Sequence, residues 1–405
     1  MKKQQPDEKR QQPDERRTPA MPDAPVILSG DPGSFPWSVF HERHPKLLRQ
    51  VLDALPYGPA ERRHVEQLLA ESTTGVLTPL PPDAPDHEQW LRWGERLWGL
   101  PWGEVPFLWA ESYFYRRLLH ATGYFTSGAW HGVDPFGPFK SAELANPTVD
   151  DELATLSALL DLPEAKRRAA LLTSALWGNR ADLGFRITND PGSVTATGLL
   201  VDDGPLLWRE LERTAGGRVD LVADNAGREL LPDLVLTDHL LTSGLAAEMA
   251  LWVKPQPYYV SDAMMADVLA AVGRLRRSKA GAIGDRLWRA IGDGTLTVRT
   301  HAFFCAPLPY HELPAELAAE FAGATLTILK GDLNYRRLVG DRLWPPTTPF
   351  AEAAGHFPSP VAALRTLKSD VVTGLPEAAV RELDGTGEAW RTSGRYGVVQ
   401  VCNAG

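Results

Sequence analysis

From about Thr148 onward, short β-prone apolar runs alternate with helical patterns, and this alternation constrains the fold more than any other feature of the sequence. The apolar runs lie at 219–223, 249–253, 258–261, 296–299, 325–329 and 398–402. Helix-period patterns such as 264–275 and 313–321 separate them. Strands joined through helices favour a mostly parallel sheet with helices on both faces, so we expect a three-layer α/β fold.

The chain before this point has a different texture. From Phe35 to about Lys140 it is rich in Trp and punctuated by Pro, with helical stretches at 46–55 and 106–120 and no convincing strand. Residues 1–21 contain a heptapeptide, QQPDEKR, that recurs nearly unchanged as QQPDERR, and they carry almost no apolar side chains. We therefore predict a disordered arm over 1–21, a helical N-terminal domain over 22–147 and an α/β domain over 148–405.

Composition excludes several classes of protein. The 405 residues are 43% hydrophobic and 23% charged, as expected for a globular chain, and the net charge of −9 argues against a general nucleic-acid binder. The two cysteines, Cys305 and Cys402, are too few for a disulfide framework or a Cys-ligated zinc site and fit a reducing compartment. No apolar run approaches the roughly 18 residues of a membrane span, and no secretory signal is evident. We expect a cytoplasmic protein with no membrane partner.

Three of the predicted strands end near an aspartate that is followed by a turn and a helix: Asp224, Asp262 and Asp332. A single aspartate of this kind is as readily a helix N-cap as a functional group. The carboxyl ends of parallel strands converge on the ligand crevice, however, so three such acids favour one shared site. Asp224, Asn225 and Asp262 together form an all-oxygen ligand set that suits Mg²⁺, Mn²⁺ or a similar divalent ion.

Two further segments indicate an anion site. The segment at 330–338 places a glycine and an acid at a strand end and then opens a helix, whose free N–H groups can bind an anion. At 364–370, Arg365 and Lys368 have the spacing of one helical turn, where two cations could clamp a phosphate. Such a pair alone is more often a solvated surface. Combined with a metal site, the two segments favour a phosphate-binding site.

Motifs of other enzyme classes are missing from the sequence. We find no GxGxxG, GxxxxGK[ST], GxSxG or HExxH pattern, so dinucleotide-binding dehydrogenases, P-loop NTPases, elbow hydrolases and zincins lack their characteristic parts. The ten histidines form no cluster with metal-ligand spacing.

At these residues the sequence resembles the metal-dependent damage-control phosphatases, in particular the subfamily with an RTxK motif that includes acidic residue methyltransferase-like proteins. The matching motifs lie at 36–45, 111–117, 177–183, 224–230, 260–262, 331–336 and 365–368. The resemblance implies that Asp224, Asn225 and Asp262 are metal ligands and that Glu229 matches a position linked to a disputed methyltransferase cofactor. It also implies substrate contacts from Asp332, Leu333, Asn334, Tyr335, Arg336 and Lys368. Arg228 and Gly184 depart from the family pattern, which affects only the expected substrate preference.

The leading hypothesis is a phosphatase of small phosphomonoesters, with sugar phosphates as the expected substrates and Mn²⁺, Mg²⁺, Co²⁺ or Ni²⁺ as the ion. Lys368, assisted by Arg365, would neutralise the phosphoryl charge, and Asp332 and Asn334 would hold substrate hydroxyls. Glu111 and Asn179 are either supports of the site or buried structural polar groups.

Two rival functions stay open. One is an S-adenosylmethionine-dependent carboxyl methyltransferase, which needs no divalent ion and for which no glycine-rich cofactor loop is evident. The other is a non-catalytic binding protein on the same fold, for which loss of a metal ligand would have been the sign. The sequence gives no indication of oligomeric state.

Overall fold

The computed structural model describes residues 24–178 and 198–403, and these residues contain one seven-stranded sheet. Its strand order is β1-β7-β6-β5-β2-β3-β4. The strands are β1 (Leu199–Asp202), β2 (Gly217–Val222), β3 (Ala246–Val253), β4 (Leu296–Thr300), β5 (Leu326–Lys330), β6 (Val361–Thr366) and β7 (Gly397–Cys402). Every pair of neighbours runs parallel except β6 and β7, which are antiparallel. The predicted α/β class with a mostly parallel sheet is confirmed.

Helices cover both faces of the sheet because its central strands alternate buried apolar side chains between two cores. Val222 and Leu329 point into the core shared with the N-terminal helices, and Leu221 and Ile328 point into the core on the other face. The N-terminal helices are Phe35–Ser38, His44–Ala54, Pro59–Thr74, His87–Trp93, Phe107–Ala121 and Gly137–Leu144. The later helices are Val149–Leu159, Glu164–Trp177, Gly204–Arg213, Leu230–Thr242, Met265–Arg276, Gly281–Asp293, Ala315–Ala322, Gly331–Val339, Phe350–Ala354 and Glu377–Gly385.

Three local predictions were wrong. The run at 258–261 is a turn, because β3 ends at Val253 and the chain then adopts positive φ at Tyr259 and Val260. The run at 364–370 is not a helical turn, since Arg365 lies in β6 and Lys368 follows it. The sequence of β6 contains two alanines and a leucine, which favour a helix, but pairing with β5 and β7 overrides that preference. The Leu- and Ala-rich sequence before Trp177 predicts one long helix, whereas the structure has two, Val149–Leu159 and Glu164–Trp177, separated at Pro163.

Several expectations fall outside what the structure describes. The arm over 1–21 and Asn179 lie in the undescribed ranges, and the proposed domain boundaries stay a prediction. Within 24–178 and 198–403, no helix is both long enough and apolar enough to cross a membrane.

Candidate active site

A small polar cavity lies at the carboxyl ends of β2, β5 and β6, which are neighbours in the sheet. Its volume is about 90 Å³. Asp224 reaches it from the turn after β2, Lys330 and Gly331 from the end of β5, and Lys368 from the turn after β6. The remaining lining residues are Ala175, Leu176, Trp177, Gly178, Glu229, Leu364 and Thr366. The cavity therefore occupies the position where parallel α/β sheets bind their ligands.

Asp224 packs directly against the start of helix Gly331–Val339. A Cβ atom on residue 331 would lie only 1.8 Å from Oδ2 of Asp224, and Gly331 has a φ of +83°. Only glycine satisfies both conditions without strain. The carboxylate is thus held at the positive end of a helix, where the backbone N–H groups of the first turn are directed toward the cavity.

A short backbone bridge brings Asp262 to the end of β2. The Ala226 N–H donates to the Ser261 carbonyl at 2.6 Å, and the Ala263 N–H donates to the Asp224 carbonyl at 2.9 Å. The Ser261 hydroxyl donates to Oδ1 of Asn225 at 2.7 Å. The structure therefore gathers Asp224, Asn225 and Asp262 in one place, although Asp262 comes from a turn and not from a strand end.

The electrostatics of this group favour a bound cation. Burial, together with the neighbouring carboxylates of Asp262 and Glu229, raises the pKa of Asp224 to about 8. Burial also raises the pKa of Asp262, and the Lys254 ammonium, 3.3 Å from its Oδ2, opposes that shift. Oδ2 of Asp262 is buried and accepts no hydrogen bond from any described residue. A buried acid, a half-buried acid and an amide oxygen form an all-oxygen donor set that fits a hard divalent ion. No group of three His, Cys, Asp or Glu side chains with ligand geometry occurs in the described ranges, and this set contains only two such residues.

Glu229 connects the acid group to Lys368. Its Oε2 accepts a hydrogen bond from Nδ2 of Asn225 at 2.8 Å, and its Oε1 lies 3.9 Å from Nζ of Lys368. The Lys368 side chain is 49% exposed and reaches the cavity from the turn after β6. A cation therefore faces the acid group across the cavity.

Asp332 and Arg365, sequence neighbours of the cavity-lining residues Gly331, Leu364 and Thr366, form an ion pair. The Arg365 side chain is 0% exposed, and its Nε donates to Oδ1 of Asp332 at 2.8 Å. Burial of Asp332 opposes its ionisation, but the charges of Arg365 and Arg336 prevail and lower its pKa. The structure does not present Arg365 to the cavity as one half of a cation clamp with Lys368, because its guanidinium points into the protein.

The structure brings most of the remaining predicted contact residues into the protein interior. Asn334 donates to the Lys330 and Ala223 carbonyls and accepts from the Tyr310 hydroxyl, so it fastens the helix to the ends of β5 and β2. Tyr335 bonds to Gln400 and Thr373, and Leu333 packs in the core. Arg336 pairs with Glu111 at 2.8 Å and Asp341 at 2.7 Å. Burial raises the pKa of Glu111 against the opposing charge of Arg336.

Sequence reasoning missed two lysines that flank the acids. Lys254 pairs with Asp262, and Lys330 pairs with Asp233 at 2.7 Å and donates to the Ala175 carbonyl. Lys254 follows the apolar strand β3, and Lys330 is the last residue of the apolar strand β5. The aspartates are selected as candidates because they occupy the same kind of position. A search for charges of either sign at strand ends would have found both lysines.

Three comparisons with known proteins report what this chain is similar to. The sequence matches the family model described as the damage-control phosphatase ARMT1-like domain over residues 39–383. It is 31% identical to the damage-control phosphatase ARMT1 of Mus musculus, with 94% of this chain and 99% of that protein covered. It is 30% identical to the protein of that name from Danio rerio, covering 91% and 94%, and 32% identical to that from Bos taurus, covering 94% and 99%. A crystal structure of a DUF89 family protein from Pyrococcus horikoshii superposes with a TM-score of 0.46 at 15% identity, over 86% of this chain and 94% of that one.

Proposed function

We propose that this chain, which belongs to the ARMT1-like damage-control phosphatase family and is a hydrolase of phosphate esters, hydrolyses small phosphomonoesters. In this proposal the substrates are sugar phosphates, and the reaction requires a divalent metal ion. The observation that carries the proposal is that Asp224 and Lys368 line one small cavity, while the backbone bridge holds Asn225 and the buried Asp262 beside Asp224. That arrangement suits a cation and a phosphate bound side by side.

In this proposal Asp224, Asn225 and Asp262 hold the ion, which is Mn²⁺, Mg²⁺, Co²⁺ or Ni²⁺. When bound, such an ion polarises a phosphoryl oxygen and lowers the pKa of an attacking water. Asn225 is prepared for this role because its Nδ2 is already engaged by Glu229, so its oxygen is the atom left for a cation. The Ser261 hydroxyl that now donates to this oxygen can rotate away.

The chain itself supplies the groups that bind the phosphoryl oxygens. Lys368 and the N–H groups at the start of helix Gly331–Val339 carry positive charge toward the cavity. Groups of this kind accelerate phosphoryl transfer when they are oriented before the charge develops. Asp332, at the edge of the same turn, is the residue proposed to accept hydrogen bonds from substrate hydroxyls.

The net charge of the chain and the size of the cavity support the proposed substrate class, and the two cysteines support the proposed cellular compartment. The net charge of −9 is unfavourable for a nucleic-acid backbone, and the cavity admits a small phosphorylated metabolite more readily than a polymer. Cys305 and Cys402 are both free thiols buried in the protein, which fits the cytoplasm proposed as its compartment.

The test is a panel of sugar phosphates incubated with chelated protein and each of the four metals in turn. Release of inorganic phosphate in at least one metal supports the proposal. Asp220→Asn is a suitable control, because Asp220 is a buried acid on β2 that pairs with Arg218 and Trp252 away from the cavity. A protein that releases no phosphate but transfers a methyl group from S-adenosylmethionine to carboxylates would overturn it.

A further inference from the structure

All three nitrogens of the Arg365 guanidinium donate hydrogen bonds to other groups of the protein. Besides its bond to Asp332, it donates through Nη2 to the Ser369 hydroxyl at 2.9 Å and through Nη1 to the Val371 carbonyl. Its Cζ atom lies 4.2 Å from the ring centroid of Tyr335. An arginine held in this way at 0% exposure has no face to offer a soluble anion.

Two partners of Arg365, Asp332 and Ser369, connect it to the turn that carries Lys368. Oδ1 of Asp332 accepts from the Lys368 backbone N–H at 3.2 Å and from the Ser369 hydroxyl at 3.1 Å, in addition to Arg365. One carboxylate oxygen therefore fastens the turn after β6 to the first turn of helix Gly331–Val339. That helix turn is also the one against which Asp224 packs.

Fixing this turn matters because a lysine side chain is long and flexible. Its ammonium can be placed reliably only if its backbone is fixed and its reach is limited by neighbours. The backbone N–H of Lys368 is fixed by Asp332, while Glu229 faces its Nζ from the other side of the cavity. Charge-assisted bonds to an ionised carboxylate are strong enough to hold such a turn.

We propose that Arg365 and Ser369 are positioning residues that act through Asp332 to place the Lys368 ammonium at the cavity. The inference rests on the proposed function, in which Lys368 binds the phosphoryl group. Arg365 then contributes to phosphate binding without touching the phosphate.

The experiment combines two readouts on Arg365→Lys and Ser369→Ala. The first is hydrogen exchange of the Lys368 backbone amide followed by NMR, which reports on the turn whether or not the protein is active. We expect roughly tenfold faster exchange, since a charge-assisted hydrogen bond is weakened. Ser369→Ala removes a single hydroxyl and keeps the readout accessible if the arginine variant does not fold.

The second readout is the affinity of the Mn²⁺-loaded protein for inorganic phosphate, measured by calorimetry in a double-mutant cycle with Lys368→Ala. Both variants should weaken binding by roughly tenfold in the wild-type background and have little effect once Lys368 is absent. Arg337→Lys is the matched control. Arg337 is as deeply buried as Arg365 and lies on the helix that carries Asp332, but it bonds to the Leu308, Phe303 and Phe304 carbonyls. It should leave exchange at Lys368 unchanged.

The inference is overturned if exchange at Lys368 is unaffected, or if the losses of phosphate affinity persist in full in the Lys368→Ala background. The second result would mean that Arg365 acts on the phosphate by another route, with the phosphatase proposal intact. Faster exchange in a protein that binds no phosphate would support the role of Arg365 and Ser369 in fixing the turn, and it would contradict the proposed function.

Discussion

Asp224 and Gly331 are in such close contact that any side chain on residue 331 would overlap the carboxylate, with a distance of 1.8 Å from the Cβ position to Oδ2. The contact joins the end of β2 to the start of helix Gly331–Val339. It fixes one acid of the candidate metal site relative to the N–H groups proposed to bind phosphate. In the proposed site, this contact between the end of β2 and the start of the helix would therefore set the spacing of the ion and the phosphate.

Gly331→Ala should abolish turnover and metal binding, because the new methyl group displaces Asp224. Gly340→Ala is the matched control, since Gly340 ends the same helix with a φ of +88° and its nearest neighbour at the Cβ position is His311, 3.3 Å away. Each variant should lose about 1–2 kcal/mol of stability from the left-handed backbone. Metal titration and phosphate release separate the two, and equal activity in both would contradict the role assigned to Gly331.

The metal-free protein should lose stability as pH rises. The pKa of Asp224 is raised to about 8 in the folded protein and is near 4 in an unfolded chain, so the folded state holds the proton more tightly and is penalised as the acid ionises across that range. Asp224→Asn should therefore raise the free energy of unfolding at pH 8 by on the order of 3 kcal/mol, and much less at pH 5. Urea unfolding of the chelated wild-type and variant proteins at both pH values measures this difference in the free energy of unfolding. A variant less stable than wild type at pH 8 would contradict this account.

His44 should make the protein sensitive to acid. It is buried against Phe114, with ring centroids 3.6 Å apart, and neither ring nitrogen has a partner among the described residues. Burial lowers its pKa to about 3, so the unfolded chain takes up a proton first as pH falls below 6.5, and stability is lost from there downward.

His44→Phe keeps the stacking and removes the titration. At pH 5 it should be more stable than wild type by about 2 kcal/mol relative to their difference at pH 7.5. His131→Phe, at an exposed position, serves as the control. Parallel pH profiles for wild type and His44→Phe would show that His44 is not the source of the acid sensitivity.

Lys368→Ala should raise the barrier to phosphate release by about 2–4 kcal/mol and leave metal affinity nearly unchanged, because the proposal assigns Lys368 to the phosphoryl group and not to the ion. Lys368→Arg should restore only part of the rate, since a planar guanidinium differs from an ammonium in reach and geometry. Lys166→Ala, an exposed lysine on helix Glu164–Trp177, is the control. Normal hydrolysis by Lys368→Ala would exclude the proposed contact.

Much of this architecture could be predicted from local patterns. The apolar runs of β2, β4, β5 and β7 are dense in β-branched residues and leucine, and the acid after β2 follows from the rule that parallel strand ends converge. The strand β6 could not be predicted in this way, because the sequence of Val361–Thr366 mixes helix-favouring and strand-favouring residues. Only its pairing with β5 and β7 makes it a strand.

The side-chain partners in the site could not be predicted from the sequence either. Arg365 and Lys368 stand three residues apart, and the spacing alone favours two equivalent cations. Whether a charge faces the solvent or a buried acid depends on contacts across 33 residues of chain, here between Arg365 and Asp332. The same holds for Arg336 and Glu111, which are 225 residues apart.

The most direct test of the central claim is phosphate release from a sugar phosphate by protein that has been chelated, dialysed and then supplied with Mn²⁺, in wild type and in Asp262→Ala. Asp262 is the appropriate residue because it is the more deeply buried of the two acids, and its Oδ2 accepts no hydrogen bond within the described structure apart from the ion pair with Lys254 at 3.3 Å. The account predicts no release after chelation, recovery on adding Mn²⁺ in wild type, and no recovery in the folded variant. Full turnover by the chelated wild-type protein would contradict it.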